Sequence, residues 1–151
     1  MPRDATARPD PLEELADALH SASIHLLRRL RREDDATGLT PARLSALSVV
    51  VFGGPMRISD LARTEQVRTP TITPIIAALE TDGLVVREAD PRDARAWILR
   101  ATPKGQKLTA QGRARRVARL AAQLRDVPAG DRAILRRAAV LMQELARKDP
   151  A

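Results

Sequence analysis

The 151-residue sequence predicts a mainly α fold with one small β wing, and three observations carry that reading. Threonine–proline pairs at Thr40-Pro41, Thr69-Pro70 and Thr102-Pro103 each precede an amphipathic run. A threonine hydroxyl can accept from the free N–H groups of a first helical turn, and proline suits the first helical position. Apolar residues recur at 3.6-residue spacing through most of the chain. Two short runs, Leu84-Val85-Val86 and Ala96-Trp97-Ile98-Leu99, read as strands, with the loop Glu88–Arg95 between them.

Taken in order, residues 1–11, with Pro2, Pro9 and Pro11, are expected to be a disordered arm. A first helix is expected from Leu12 to about Asp35. Its apolar positions are Leu12, Leu15, Leu19, Ala22, Leu26 and Leu30, and acidic residues come early with Arg28, Arg29, Arg31 and Arg32 late, which complements the helix dipole. A second helix follows Thr40-Pro41 through Leu44, Leu47, Val50 and Val51, and ends at Gly53-Gly54-Pro55. Ile58 is a short strand or staple, Ser59 an N-cap, and a short helix runs from about Asp60 to Gln66. After a turn at Val67-Arg68, Thr69 caps a helix over about Pro70 to Asp82, closed by Gly83 in the left-handed position that ends many helices. A short helix, a tight turn and a capped second helix make a helix-turn-helix.

Beyond the second strand, Thr102-Pro103 starts a helix to about Arg125, which Gly105 and Gly112 weaken. Asp131 to Arg147 forms the last amphipathic helix. The terminal helices have more apolar surface than a small domain needs for its own core, and a dimer interface is the simplest use for it. The expected division is residues 12–38 for dimerisation, 39–101 for a winged helix-turn-helix, and 102–151 for two further dimerisation helices.

Charge and composition narrow the function. The formal net charge is +7, yet residues 1–53 and 54–101 are nearly neutral and the excess sits in residues 102–125, which hold seven basic and no acidic groups. Lys104, Lys107, Arg113, Arg115, Arg116, Arg119 and Arg125 would form a basic helix close to bound phosphates, or a solvated face in an arginine-rich composition. Without cysteine there are no disulfides, thiolate sites or thiol nucleophiles. His20 and His25 cannot by themselves build a zinc site and read as partly buried helix-face residues. No serine-hydrolase elbow, metalloprotease helix, phosphate loop or dinucleotide fingerprint is present, so no enzyme activity, metal or cofactor is expected. With no apolar run of membrane-spanning length and no apolar signal core in the first eleven residues, a cytoplasmic location without membrane association is expected.

The stretch from Thr69 to Arg95 can place a helix in the major groove and arginines beside it. A hairpin tip with Arg92 and Arg95 suits the negative potential of a narrow minor groove, although a solvated turn would look similar. Ile72 has two readings, contact with thymine methyls or core packing.

The pieces LTPARLSAL, GGPMRISDLARTEQV, TPTITPIIAALETDGLVVRE, DPRDAR and TPKGQKL, in that order and spacing, resemble the MarR family of bacterial transcription regulators. The resemblance implies a homodimeric winged helix-turn-helix protein that binds double-stranded DNA, usually a repressor relieved by a small aromatic or anionic ligand. It places Thr69, Thr71, Ile72 and Thr73 at the major groove; Arg68 and Lys104, the latter from the basic run, are further candidate DNA contacts. It makes Arg95 the minor-groove arginine, Asp93 the carboxylate that orients it, and Arg92 a tip contact. His25, Arg28 and Arg43 become conceivable anion partners. Pro74 departs from many members, which have a basic residue there, and an irregular start to the recognition helix is expected. The competing reading is an architectural protein that binds DNA by charge alone; the neutral charge balance of residues 54–101 argues against it.

Overall fold

The structure, a computed structural model, describes the backbone of residues 10–90 and 93–147, and the side chains of these except 93–96. Helix α1 spans Pro11–Leu30 and is capped by Asp10, whose carboxylate accepts from the Leu12 amide at 3.0 Å. The sequence reading carried this helix on to Asp35. Instead the chain tightens at Arg31 into a 3-10 segment, Arg31–Thr37, that ends at Gly38 with φ 70°. Thr37 Oγ1 donates to the Asp34 carbonyl at 2.6 Å, the local side-chain bonding by which threonine and aspartate compete with α-helical pairing.

Helix α2, Pro41–Gly53, starts as the Thr40-Pro41 pair dictates, with Thr40 Oγ1 accepting from the Arg43 amide. Strand β1 is Met56–Arg57 and α3 is Ile58–Thr64, so Ser59 is already helical and is not the cap. Pairing of Arg57 with Ile98 holds Arg57 extended, which leaves the helix to begin at Ile58. Helix α4 covers Thr69–Thr81, β2 Val85–Asp90 and β3 Asp93–Ala101. The sheet is antiparallel in the order β1-β3-β2. Its strands run further than expected, because the ladder continues through Glu88 opposite Ile98 and Ala89 opposite Trp97, charged and small residues that give no alternating apolar signal. Helices α5, Pro103–Leu124, and α6, Ala129–Arg147, complete the chain.

One core lies under α2, α3, α4 and the sheet. Leu47, Leu61, Ile72, Ile76, Leu79 and Leu99 are its largest fully buried apolar side chains. Helices α1 and α6 contribute no buried residue. Leu12, Leu15, Ile134 and Leu145 are each more than half exposed, as is Val117 on α5. His20 and His25 are exposed rather than partly buried. Among the described residues no single helix is long and apolar enough to cross a membrane.

Candidate nucleic-acid interface

The turn between α3 and α4 is built by the backbone. The Gln66 amide donates to Arg63 O at 3.0 Å and the Val67 amide to Ala62 O at 2.9 Å, the pair of bonds that closes a helix through one left-handed residue. Gln66 is that residue, at φ 55°, the one described non-glycine residue with positive φ. Ser45 on α2 ties the turn down by donating to Glu65 Oε1 at 2.9 Å.

Helix α4 then starts one residue earlier than the sequence suggested. Arg68 occupies the cap position without a side-chain cap bond, and Thr69 is the first helical residue, so Thr69 is not the cap. Pro70 and Pro74 both sit inside a helix that remains continuous to Thr81. The first turn adapts: the Arg68 carbonyl receives both the Thr71 amide at 2.9 Å and the Ile72 amide at 3.3 Å. Thr73 Oγ1 donates to Thr69 O at 2.8 Å, which commits its proton to the helix and leaves its lone pairs to accept from outside.

Burial sorts the predicted contacts. Arg68, Thr69, Thr71 and Thr73 are exposed around the amino end of α4, while Ile72, 1% exposed, packs in the core with Ile76 and Leu79. Ile72 therefore takes the core reading and offers nothing to a groove; the 3.6-residue period turns it the same way as Ile76 and Leu79. Lys104 is exposed, and its Nζ donates to the Asp82 carbonyl at 2.6 Å, so it satisfies the carboxyl end of α4. Arg43 sits at that same end, 3.6 Å from Asp82 Oδ2, and apart from His25 and Arg28, which line a cleft between α1 and α5.

The junction of α4, β2 and α5 is tight. Thr102 Oγ1 donates to the carbonyls of Gly83 and Leu84 and accepts from the Gly105 amide at 3.1 Å. A β-carbon on Gly105 would overlap the Leu84 carbonyl. Gly105 is thus what lets α5 pack onto the end of the recognition helix, beyond its cost in helix propensity.

In the wing, Arg92 and the side chains of Asp93 and Arg95 lie outside the described residues. At the far end of β2, where Asp90 pairs with Asp93, the structure shows a pair that the sequence did not flag: Arg57 Nη2 lies 2.7 Å and its Nε 3.1 Å from Asp90 Oδ2, and Asp90 is 8% exposed. In the sequence Asp90 reads as part of a loop, since neither periodicity nor a motif joins it to Arg57. Two further ion pairs brace the sheet, Arg87 to Glu80 of α4 and Arg100 to Glu88, both at 2.9 Å.

The basic helix α5 is partly used internally. Arg115 Nε donates to Glu33 O at 3.4 Å, Arg116 Nε lies 3.6 Å from Asp34, and Arg119 Nε lies 3.9 Å from Glu33. These arginines hold the 3-10 segment. Among the described residues no three metal-ligating side chains come together.

A short helix, a three- to four-residue turn, an exposed polar helix face and a braced β-hairpin define a winged helix-turn-helix DNA-binding protein. The MarR family model matches residues 39–97, and the chain belongs to the MarR family of transcription regulators. A relative from Mycobacterium leprae, an uncharacterized HTH-type transcriptional regulator, is 35% identical over 136 residues, covering 90% of this chain and 95% of its own. The crystal structure of a transcriptional regulator from Thermotoga maritima superposes with a TM-score of 0.78 at 25% identity, over 91% of this chain and 99% of that one. A MarR family protein from Bacillus stearothermophilus shares the fold, with a TM-score of 0.75 at 23% identity over 90% and 96% of the two chains. The protein is therefore a DNA-binding transcription regulator.

Proposed function

We propose that two copies of this chain form a repressor of a pseudo-palindromic operator, released by a small-molecule ligand. The observation that carries this reading is the division of α4: Ile72, Ile76 and Leu79 anchor it in the core, and Arg68, Thr69, Thr71 and Thr73 around its amino end are exposed. Threonine methyls suit thymine and their hydroxyls suit base edges or phosphates. Arg92 and Arg95 of the wing enter the adjacent minor groove, with Asp93 orienting Arg95. Residues 39–101 act as the DNA-binding unit, and residues 12–38 and 102–151 as the dimerisation region. The exposed apolar residues of α1 and α6 support that division. A dimer places its two recognition helices on half-sites one helical turn apart, about 10 bp.

Two structures of the same fold support the DNA and ligand parts. A MepR mutant from S. aureus was solved bound to an oligodeoxyribonucleotide, with a TM-score of 0.65 at 15% identity. NadR was solved in complex with 4-hydroxyphenylacetate, with a TM-score of 0.64 at 23% identity. In this chain a cavity of about 280 Å³ between α1, the 3-10 segment, α2 and α5, lined by Leu27, Asp34, Leu39, Leu44, Ser48 and Arg116, suits such an effector.

The test is a titration of the purified protein against the DNA upstream of its own gene and a scrambled duplex of equal length at fixed salt. Binding tighter to the upstream DNA by on the order of 10³-fold is the repressor outcome. Equal, salt-sensitive binding to both duplexes would instead favour an architectural protein.

A further inference from the structure

We infer that the cleft between the carboxyl end of α1 and the carboxyl-terminal part of α5 binds a small polyanion, a molecule with two or more negative charges on phosphate or carboxylate groups. The cleft measures about 550 Å³ and is lined by His25, Arg28, Arg29, Arg32, Glu33 and Arg119. Four guanidinium groups face one carboxylate, and that carboxylate is 3.9 Å from Arg119, longer than a direct hydrogen bond. With its amide turned to satisfy both sides, Gln123 accepts from Arg29 Nε at 3.0 Å and holds that guanidinium in place. Guanidinium groups stay charged at every physiological pH, and their planar forks match phosphate and carboxylate oxygens two at a time. Gathering them in a concave site is unfavourable until an anion enters.

A second observation gives the cleft a consequence. The ties between the 3-10 segment and α5 are incomplete, for Asp34 Oδ1 and Arg115 Nη2 are buried without a hydrogen-bond partner. An anion that draws Arg119 from Glu33 removes one of the ties that Arg115, Arg116 and Arg119 make to this segment. The segment leads through Gly38 into α2, so loosening it changes how α1 meets the winged domain. This consequence rests on the ligand-responsive reading; the binding site does not.

The competing occupant is the acidic end of α1 from a second copy, with Glu13, Glu14 and Asp17. It is disfavoured because the basic positions 25 and 28 lie about a third of a turn or more around α1 from the apolar stripe at 12, 15, 19 and 26 that a partner would cover.

Calorimetry on the full chain at constant ionic strength tests this with inorganic pyrophosphate, citrate and acetate. Pyrophosphate or citrate should bind once per chain, the tighter of the two naming the phosphate or carboxylate class, and acetate should not bind. Arg28 and Arg32 are exposed, so an Arg28→Gln/Arg32→Gln variant keeps its thermal unfolding profile and loses affinity by about tenfold or more for each arginine removed. Absence of saturable binding by both polyanions, or unchanged affinity in a folded double variant, overturns the inference. So does tighter anion binding by a Glu13→Gln/Glu14→Gln/Asp17→Asn variant, which would mean that a second copy fills the cleft. Anion binding without any change in operator affinity would leave the site standing and overturn the regulatory consequence alone.

Discussion

Arg57 reaches across the central strand β3 to place its Nη2 2.7 Å from Asp90 Oδ2, joining the first strand of the sheet to the last residue of β2. Asp90 is buried and Arg57 is about half exposed, so the carboxylate has given up most of its hydration for this guanidinium and the other contacts that the two residues make. The pair ties the far end of β2 to β1, on the other side of β3. Asp90→Asn keeps the shape and removes the charge; it is expected to lower stability by about 1–3 kcal/mol in thermal unfolding.

Ile72 separates fold from recognition on α4. Because it is buried with Ile76 and Leu79, Ile72→Ala should destabilise the protein by about 2–5 kcal/mol in denaturant unfolding. Thr71→Val and Thr73→Val should leave stability within about 0.5 kcal/mol, and weaken or redirect binding in a selection from random duplexes. An Ile72→Ala protein of native stability with altered sequence preference would reverse this assignment.

Two glycines in α5 should respond with opposite signs. At Gly105 an added methyl meets the Leu84 carbonyl and Leu47 Cδ1 at 3.2 Å, so Gly105→Ala is expected to cost several kcal/mol, on the order of other overpacked sites or more. At Gly112 the nearest atom to an added β-carbon is Thr37 Cγ2 at 3.7 Å, an ordinary contact. Gly112→Ala should therefore stabilise by up to about 1 kcal/mol through helix propensity. Thermal unfolding of the two variants side by side checks both.

The exposed apolar faces of α1 and α6 predict the assembly state. Leu15→Glu combined with Ile134→Glu places two charges on surfaces that are 56% and 68% exposed in one chain. If a second copy covers them, sedimentation should show a shift from dimer to monomer and operator affinity should fall with it. If the wild-type chain is monomeric, the proposed use of these helices is wrong.

The ties from α5 to the 3-10 segment are partly exposed ion pairs and should be sensitive to salt. Arg116→Ala with Asp34→Ala in a double-mutant cycle is expected to give a coupling of about 0.5–1 kcal/mol at low ionic strength, decreasing as salt is added.

Much of this fold was legible in the sequence because its signals are local. Thr40-Pro41 and Thr102-Pro103 begin helices where they stand, since a hydroxyl cap and a fixed proline φ act within one turn. Leu44, Leu47, Ile76 and Leu79 face the core because the helical period alone turns them the same way. Thr69-Pro70 shows the limit: the same pair was displaced by one position, because the preceding turn closes through Gln66 and delivers Arg68, not Thr69, in the extended cap conformation.

What the tertiary structure decided were matters of partnership between distant residues. Nothing near Asp90 names Arg57, 33 positions earlier, as its counter-ion; the β1-β3-β2 order brings them together. Sequence charge marked α5 as basic but could not say which of its arginines have partners within the protein. That follows from the 3-10 segment lying against α5, where Glu33 and Asp34 meet Arg115, Arg116 and Arg119. Local propensity determines which residues become helix. Which charges remain for a ligand depends on packing, because a guanidinium already facing a carboxylate has less to offer an incoming phosphate.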